Sequence, residues 1–231
     1  MQLPFLILTL EKDSEMFADF FFPDRCVNCN LIIAAKTYVC ELCKNQISFC
    51  NLEFEAENML KEHCKTLFPV ESAFSLMEFQ KEGFSRELMH QLKYKNRPNI
   101  GEIFADWTIE RLHFKQKPDL ITSIPLHPKK MKERGYNQLH IYTEKIANSY
   151  KIPFDNELIK RNYYTKAQAL KNKKGREKQE QLFSINKEIV GKHVLIIDDV
   201  FTTGNTMSMM AWEILKNKHN KVSILVMAHD Y

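Results

Sequence analysis

VLIIDDVFTTGNT, residues 194–206, drives four apolar residues straight into two adjacent acids and then into a string of threonines around one glycine. The apolar run has the composition of a strand buried on both faces. Two neighbouring carboxylates at the end of such a strand are costly unless solvent, a cation or hydroxyl donors meet them. A Walker B strand ends similarly, but the chain has no G-x-x-x-x-G-K-[ST] loop, which excludes a P-loop nucleotidase. A receiver-type acidic pocket lacks its ordered partner residues. One reading uses every residue of the stretch. Ligands of open α/β sheets bind at the carboxyl ends of strands. Gly204 lets the backbone come close, so amides and hydroxyls of Thr202, Thr203, Asn205 and Thr206 can wrap a phosphate at a helix N-terminus. Asp198 and Asp199 would then accept hydrogen bonds from the vicinal hydroxyls of a ribose. A buried strand end without a ligand is the alternative that the stretch itself leaves open.

Outward from this stretch the chain alternates. Strands are expected over 72–79, 119–125, 192–198 and 222–229, and helices over 84–95, 100–114, 137–150 and 206–217. That alternation predicts an α/β fold with a parallel sheet flanked by helices. The pattern dissolves into polar, basic chain between 160 and 182. From 121 to 181 lysine and arginine exceed the acids by eight, although the whole chain carries only +4, so this stretch should meet something anionic or form a solvated basic surface.

All six cysteines fall between 26 and 64. Cys26, Cys29, Cys40 and Cys43 make a C-x2-C-x10-C-x2-C array, whose two knuckles can bring four thiolates onto one zinc ion. With four protein ligands no coordination position stays open, so the metal is expected to be structural. Spare thiols or a cluster are the alternative. Cys50, His63 and Cys64 lie outside the array and read as packing residues. The expected organisation is an extension over 1–15, a zinc-binding module over 16–70 and an α/β domain over 71–231, with the seam near Pro69. The apolar start has no basic n-region and no cleavage site, and no window reaches a membrane span, so a cytoplasmic protein is expected.

The stretch resembles the type I phosphoribosyltransferase fingerprint for phosphoribosyl pyrophosphate (PRPP). FFPDRCVNC with its second knuckle, LKYK (92–95), IPLHPKKMKERGYNQ (124–138), the basic segment from Arg161 to Arg176 and the fingerprint follow one another in order. Together they resemble the ComF-type competence family, amidophosphoribosyltransferase-like proteins associated with DNA uptake in natural transformation. The resemblance covers about residue 16 to the C-terminus; residues 1–15 match nothing in the family. It implies a type I phosphoribosyltransferase-like sheet behind an N-terminal double zinc ribbon, with magnesium accompanying PRPP and Asp198 and Asp199 orienting the ribose for catalysis. Ser123, Ile124 and Pro125 would form the pyrophosphate loop, their amides turned outward and assisted by Lys129, Lys130 and Arg134; a basic surface helix is the alternative for the lysines. Arg161, Lys171, Lys173, Lys174 and Arg176 would belong to a hood over the site or bind single-stranded DNA. No general base for an acceptor stands out. Two functions are therefore open: a PRPP-dependent transferase, or a non-enzymatic factor that senses PRPP and contacts single-stranded DNA or a DNA-uptake helicase.

Overall fold

A computed structural model describes residues 23–34, 37–94, 99–162 and 182–230. Its centre is a four-stranded sheet of order β1-β6-β5-β2, built from β1 (Ala73–Glu78), β2 (Leu120–Ser123), β5 (His193–Phe201) and β6 (Lys221–His229). All three pairings are parallel. β3 (Ile159–Arg161) and β4 (Phe183–Ile185) form a separate antiparallel pair.

Successive strand residues point to opposite faces, and the core divides accordingly. Leu195 and Ile197 of β5, Leu225 and Met227 of β6, and Phe74 and Leu76 of β1 pack on one face. The helices there are α3 (Phe84–Tyr94), α4 (Ile100–Ile109) and α6 (Leu139–Tyr150), through Leu88, Phe104 and Tyr142 among others. Val194, Ile196, Ile224 and Val226 pack on the other face, against α7 (Asn205–Leu215) and α2 (Met59–Lys65), through Met210, Ile214 and Leu60. A sheet covered on both faces explains why β5 reads as an unbroken apolar run rather than an alternating one. Two short helices complete the described elements: α1 (Glu41–Lys44) and α5 (Pro128–Arg134).

Contacts cross the expected seam at residue 70 in quantity. Cys43, Ile47 and Phe54 share a core with Phe74, Met77 and Trp107, while Leu60, Cys64 and Phe68 share the other with Ile196 and Met210. The chain before β1 also lies along that strand: Phe49 bridges Met77, Cys50 N–H donates to Leu76 O at 2.9 Å, and Glu78 N–H donates to Ser48 O at 2.9 Å.

β5 runs further than its apolar residues suggest. Asp198, Val200 and Phe201 are still paired with β6, opposite Val226, Ala228 and His229. On its other side β2 stops at Ser123, opposite Ile197. The two acids therefore sit inside the ladder on one flank and beyond the end of the neighbouring strand on the other.

Candidate functional site

Adjacency in a strand separates Asp198 and Asp199 onto opposite faces. Asp199 follows Leu195 and Ile197 towards α3 and α6; Asp198 follows Val194 and Ile196 towards α7. Their surroundings differ to match. Asp199 Oδ2 accepts from Lys93 Nζ at 2.9 Å and from Gln138 Nε2 at 2.7 Å. Asp198 Oδ1 accepts the Asp199 amide at 2.8 Å. Burial of its carboxyl, and after that the charge of Asp199, push the Asp198 pKa up to about 8.

Asp198 lines a small pocket of about 50 Å³ with Thr202, Thr203, Gly204, Asn205 and Thr206. Gly204 is the N-cap of α7 at φ +70° and offers no side-chain cap, so the first-turn amides of α7 have no side-chain cap among the described residues. A Cβ at Gly204 would lie 2.4 Å from Leu67 Cδ1 and 2.6 Å from Phe201 Cζ. Both the left-handed backbone and the close approach demand glycine here. Leu67 lies just beyond α2, and its carbonyl also accepts from Trp212 Nε1 of α7 at 3.0 Å. The N-terminal part of the chain thus forms the back wall of the loop, a role that no local pattern around Leu67 signals.

On the other side of the acids, Lys93, Tyr94, Lys132, Glu133, Arg134 and Tyr136 line a cleft of about 440 Å³. Arg134 Nη1 donates to Gln138 Oε1 at 2.8 Å, and its guanidinium lies 4.8 Å from the Tyr94 ring centre. The Tyr136 hydroxyl donates to Leu92 O, which ties the LKYK and RGYNQ segments together. Arg134 Nε and Arg161 Nε are buried donors without a partner among the described residues. Lys93 and Gln138 lie outside the site residues that the sequence motifs point to. Their signal lay in the LKYK and RGYNQ motifs, but only the fold brings those motifs to Asp199.

The expected pyrophosphate loop differs in its backbone. Ile124 N–H is spent on Ile197 O at 2.9 Å, and Pro125 has no N–H, so neither turns an amide outward. Ser123 is buried, with Oγ 2.9 Å from Asn156 Oδ1. Of the cations expected beside it, Arg134 joins the Gln138–Asp199 network, whereas Lys129 and Lys130 are exposed on α5. Arg161 ends β3 with its guanidinium 5.6 Å from the Phe183 ring centre. Lys171, Lys173, Lys174 and Arg176 lie outside the described residues.

Cys26, Cys29, Cys40 and Cys43 converge, with their sulfurs all within 4.8 Å of one another. Cys29 Sγ and Cys40 Sγ are 3.6 Å apart. A tetrahedral ion with Zn–S bonds of about 2.3 Å would set that separation near ~3.8 Å, so the four sulfurs fit one metal. Burial opposes ionisation of Cys26, but amide donors from Cys29, Cys40 and Asn28 outweigh it and lower its pKa to about 6. Cys50 and Cys64 are buried apart from the cluster. No helix among the described residues is long and apolar enough to cross a membrane.

A phosphoribosyl transferase domain family matches residues 142–230. The DNA utilization protein YhgH of Escherichia coli (strain K12) is 30% identical over 137 residues, covering 56% of this chain and 60% of YhgH. Competence protein F of Haemophilus influenzae is 28% identical over 212 residues, 81% of this chain and 89% of that protein. Competence protein ComFC of Bacillus subtilis is 28% identical over 161 residues, 66% of this chain and 60% of that protein.

Proposed function

We propose, for a chain that belongs to the ComF-type family and carries a phosphoribosyltransferase-like domain, that it binds magnesium-PRPP at the carboxyl end of β5 and serves DNA uptake. The observation that carries this reading is the pocket shared by Asp198 and Thr202–Thr206. The Asp198 carboxyl, whose carbonyl oxygen can accept from a hydroxyl even when protonated, stands there beside the start of α7, the pairing that a phosphorylated sugar needs. Asp198 and Asp199 would accept from the ribose hydroxyls, and the loop would hold the 5′-phosphate. Magnesium, when bound with the ligand, offsets charge that builds on a departing diphosphate. In the transferase reading, an acceptor nucleophile replaces that diphosphate at the anomeric carbon. The second reading, a cytoplasmic PRPP-sensing factor that contacts single-stranded DNA or a DNA-uptake helicase, is favoured by the basic excess over 121–181 and by the names of the relatives. A structural zinc in the four-cysteine cluster belongs to both, in an N-terminal part whose core is continuous with that of the α/β domain.

Pyrophosphate release from PRPP, measured with and without amine and base acceptors, separates the two. Release that depends on one acceptor supports the transferase. PRPP binding without release under any acceptor supports the factor, and absence of PRPP binding removes both.

A further inference from the structure

The four sulfurs of the cysteine cluster are not equivalent. Cys29 is exposed, whereas Cys26, Cys40 and Cys43 are buried. Cys26 Sγ accepts from the Cys40 amide at 3.4 Å, and Cys43 Sγ accepts from Asn28 Nδ2 at 3.3 Å. Each donor draws electron density from its sulfur and lowers that sulfur's nucleophilicity. Cys29 and Cys40 receive no N–H donor at sulfur among the described residues, and they face each other across 3.6 Å, one from each knuckle. The two sulfurs whose lone pairs are least engaged are therefore neighbours, and one of them meets solvent.

We propose that this pair is an oxidation site for peroxides: Cys29 reacts first, Cys40 resolves it, and the disulfide between them releases the structural zinc. The inference rests on the zinc reading above, in which metal binding keeps the sulfurs as thiolates. The Cys29 thiolate attacks one oxygen of the peroxide, the O–O bond breaks, hydroxide leaves and Cys29 becomes a sulfenic acid. The Cys40 thiolate then attacks that sulfur, forms the S–S bond and expels a second hydroxide. Two electrons pass from the two sulfurs to the peroxide. Zinc loses two of its four ligands and dissociates. Because Cys26, Cys40 and Cys43 share a core with Phe74, Met77 and Trp107, the loss reaches the central sheet. Cys50 and Cys64 are buried apart from the cluster, and burial pushes the Cys64 thiol up to about 12, so neither competes for the oxidant.

The test starts from the reduced full chain, with its zinc content measured first. Limiting hydrogen peroxide is added, zinc release is followed with a chromogenic chelator too weak to strip untreated protein, and the disulfide is located by peptide mass mapping. One zinc released for every two thiols lost, with Cys29 joined to Cys40, is the expected result, and a dithiol with added zinc should reverse it. Cys29→His keeps four ligands, since a set of three cysteines and one histidine also holds structural zinc, and it should slow zinc release by about tenfold or more. Release from Cys29→His at the wild-type rate, disulfides spread evenly over all four cysteines, or peroxide consumed with zinc retained would each overturn the proposal. Should Cys29→His hold no zinc, the disulfide mapped in wild type decides alone. Reduced wild-type protein without zinc overturns the metal reading itself, and this inference with it.

Discussion

The cysteine cluster and the acid–threonine loop both gather groups that can bind a ligand, yet they are arranged in opposite ways. Four sulfurs within 4.8 Å face one another and leave no coordination position open. The loop instead brings Asp198, Thr202, Thr203 and Thr206 to the lining of one pocket at the start of α7. A site that closes on itself belongs to the fold, whereas one that leaves donors and acceptors facing the same space belongs to a ligand. If that contrast is right, damage to the cluster should cost stability and damage to the loop should cost binding.

The largest effect is expected at the cluster. Structural zinc contributes roughly 10–16 kcal/mol in small zinc domains, as much as the whole ~5–15 kcal/mol margin that holds a typical domain folded. Because Cys43 and Ile47 share a core with Phe74 and Trp107, chelation or Cys43→Ser should abolish the cooperative melt of the whole chain. Purified reduced protein should hold one zinc per chain. A surviving α/β transition after chelation would mean that residues 16–70 and 71–231 fold separately.

How much of this was legible in the sequence depended on the range of the interaction. The fingerprint predicted a strand into a loop into a helix, and β5 and α7 follow at 193–201 and 205–215. The four-cysteine spacing anticipated the convergence, because each knuckle is local. Lys93 and Gln138 stayed hidden because their partner lies far along the chain; Gln138 and Asp199 are 61 residues apart. Leu67 behind Gly204 stayed hidden for the same reason. The outward amides expected at Ile124 failed on a competing bond: β5 continues beside that residue and Ile197 O claims its N–H. The opposite facing of the two acids was implicit in strand alternation, but it required knowing that β5 does not end before them.

The next effect lies at the hinge between the two kinds of site. Gly204→Ala should cost about 2 kcal/mol or more, from the left-handed backbone and from contact with Leu67 and Phe201. It should also remove PRPP binding. Denaturant melts and titration on the same preparation test it; full stability with lost binding would sever the loop from its back wall.

A smaller effect is expected in pH dependence. The folded Asp198 carboxyl, raised from 3.8 to about 8, keeps its proton where the unfolded chain has lost it. Its contribution to stability must therefore fall as pH rises from about 4 to about 8. His229 tilts the other way between about 4 and 6.5, because burial and then His63 lower its pKa to about 4. The quantity to read is the difference between wild type and Asp198→Asn across that range; it should shift steadily in favour of the variant, and a flat difference would contradict the assigned burial. The smallest effect concerns DNA. Replacing Lys171, Lys173, Lys174 and Arg176 by alanine should flatten the salt dependence of single-strand binding by about 0.7 per lost phosphate contact, and an unchanged slope would return the segment to a hood or a solvated surface.

The central claim is that the acids and threonines at the end of β5 form a PRPP site, and thermal melting with and without magnesium-PRPP tests it most directly. At about 100 times its dissociation constant a ligand adds roughly 2.7 kcal/mol to the folded state. Wild type should gain that stabilisation, while Asp198→Asn with Asp199→Asn, and separately Thr206→Val, should fold and lose most of it. A double variant that melts early on its own, beside a wild type indifferent to PRPP, would contradict the claim and make the acids part of the fold.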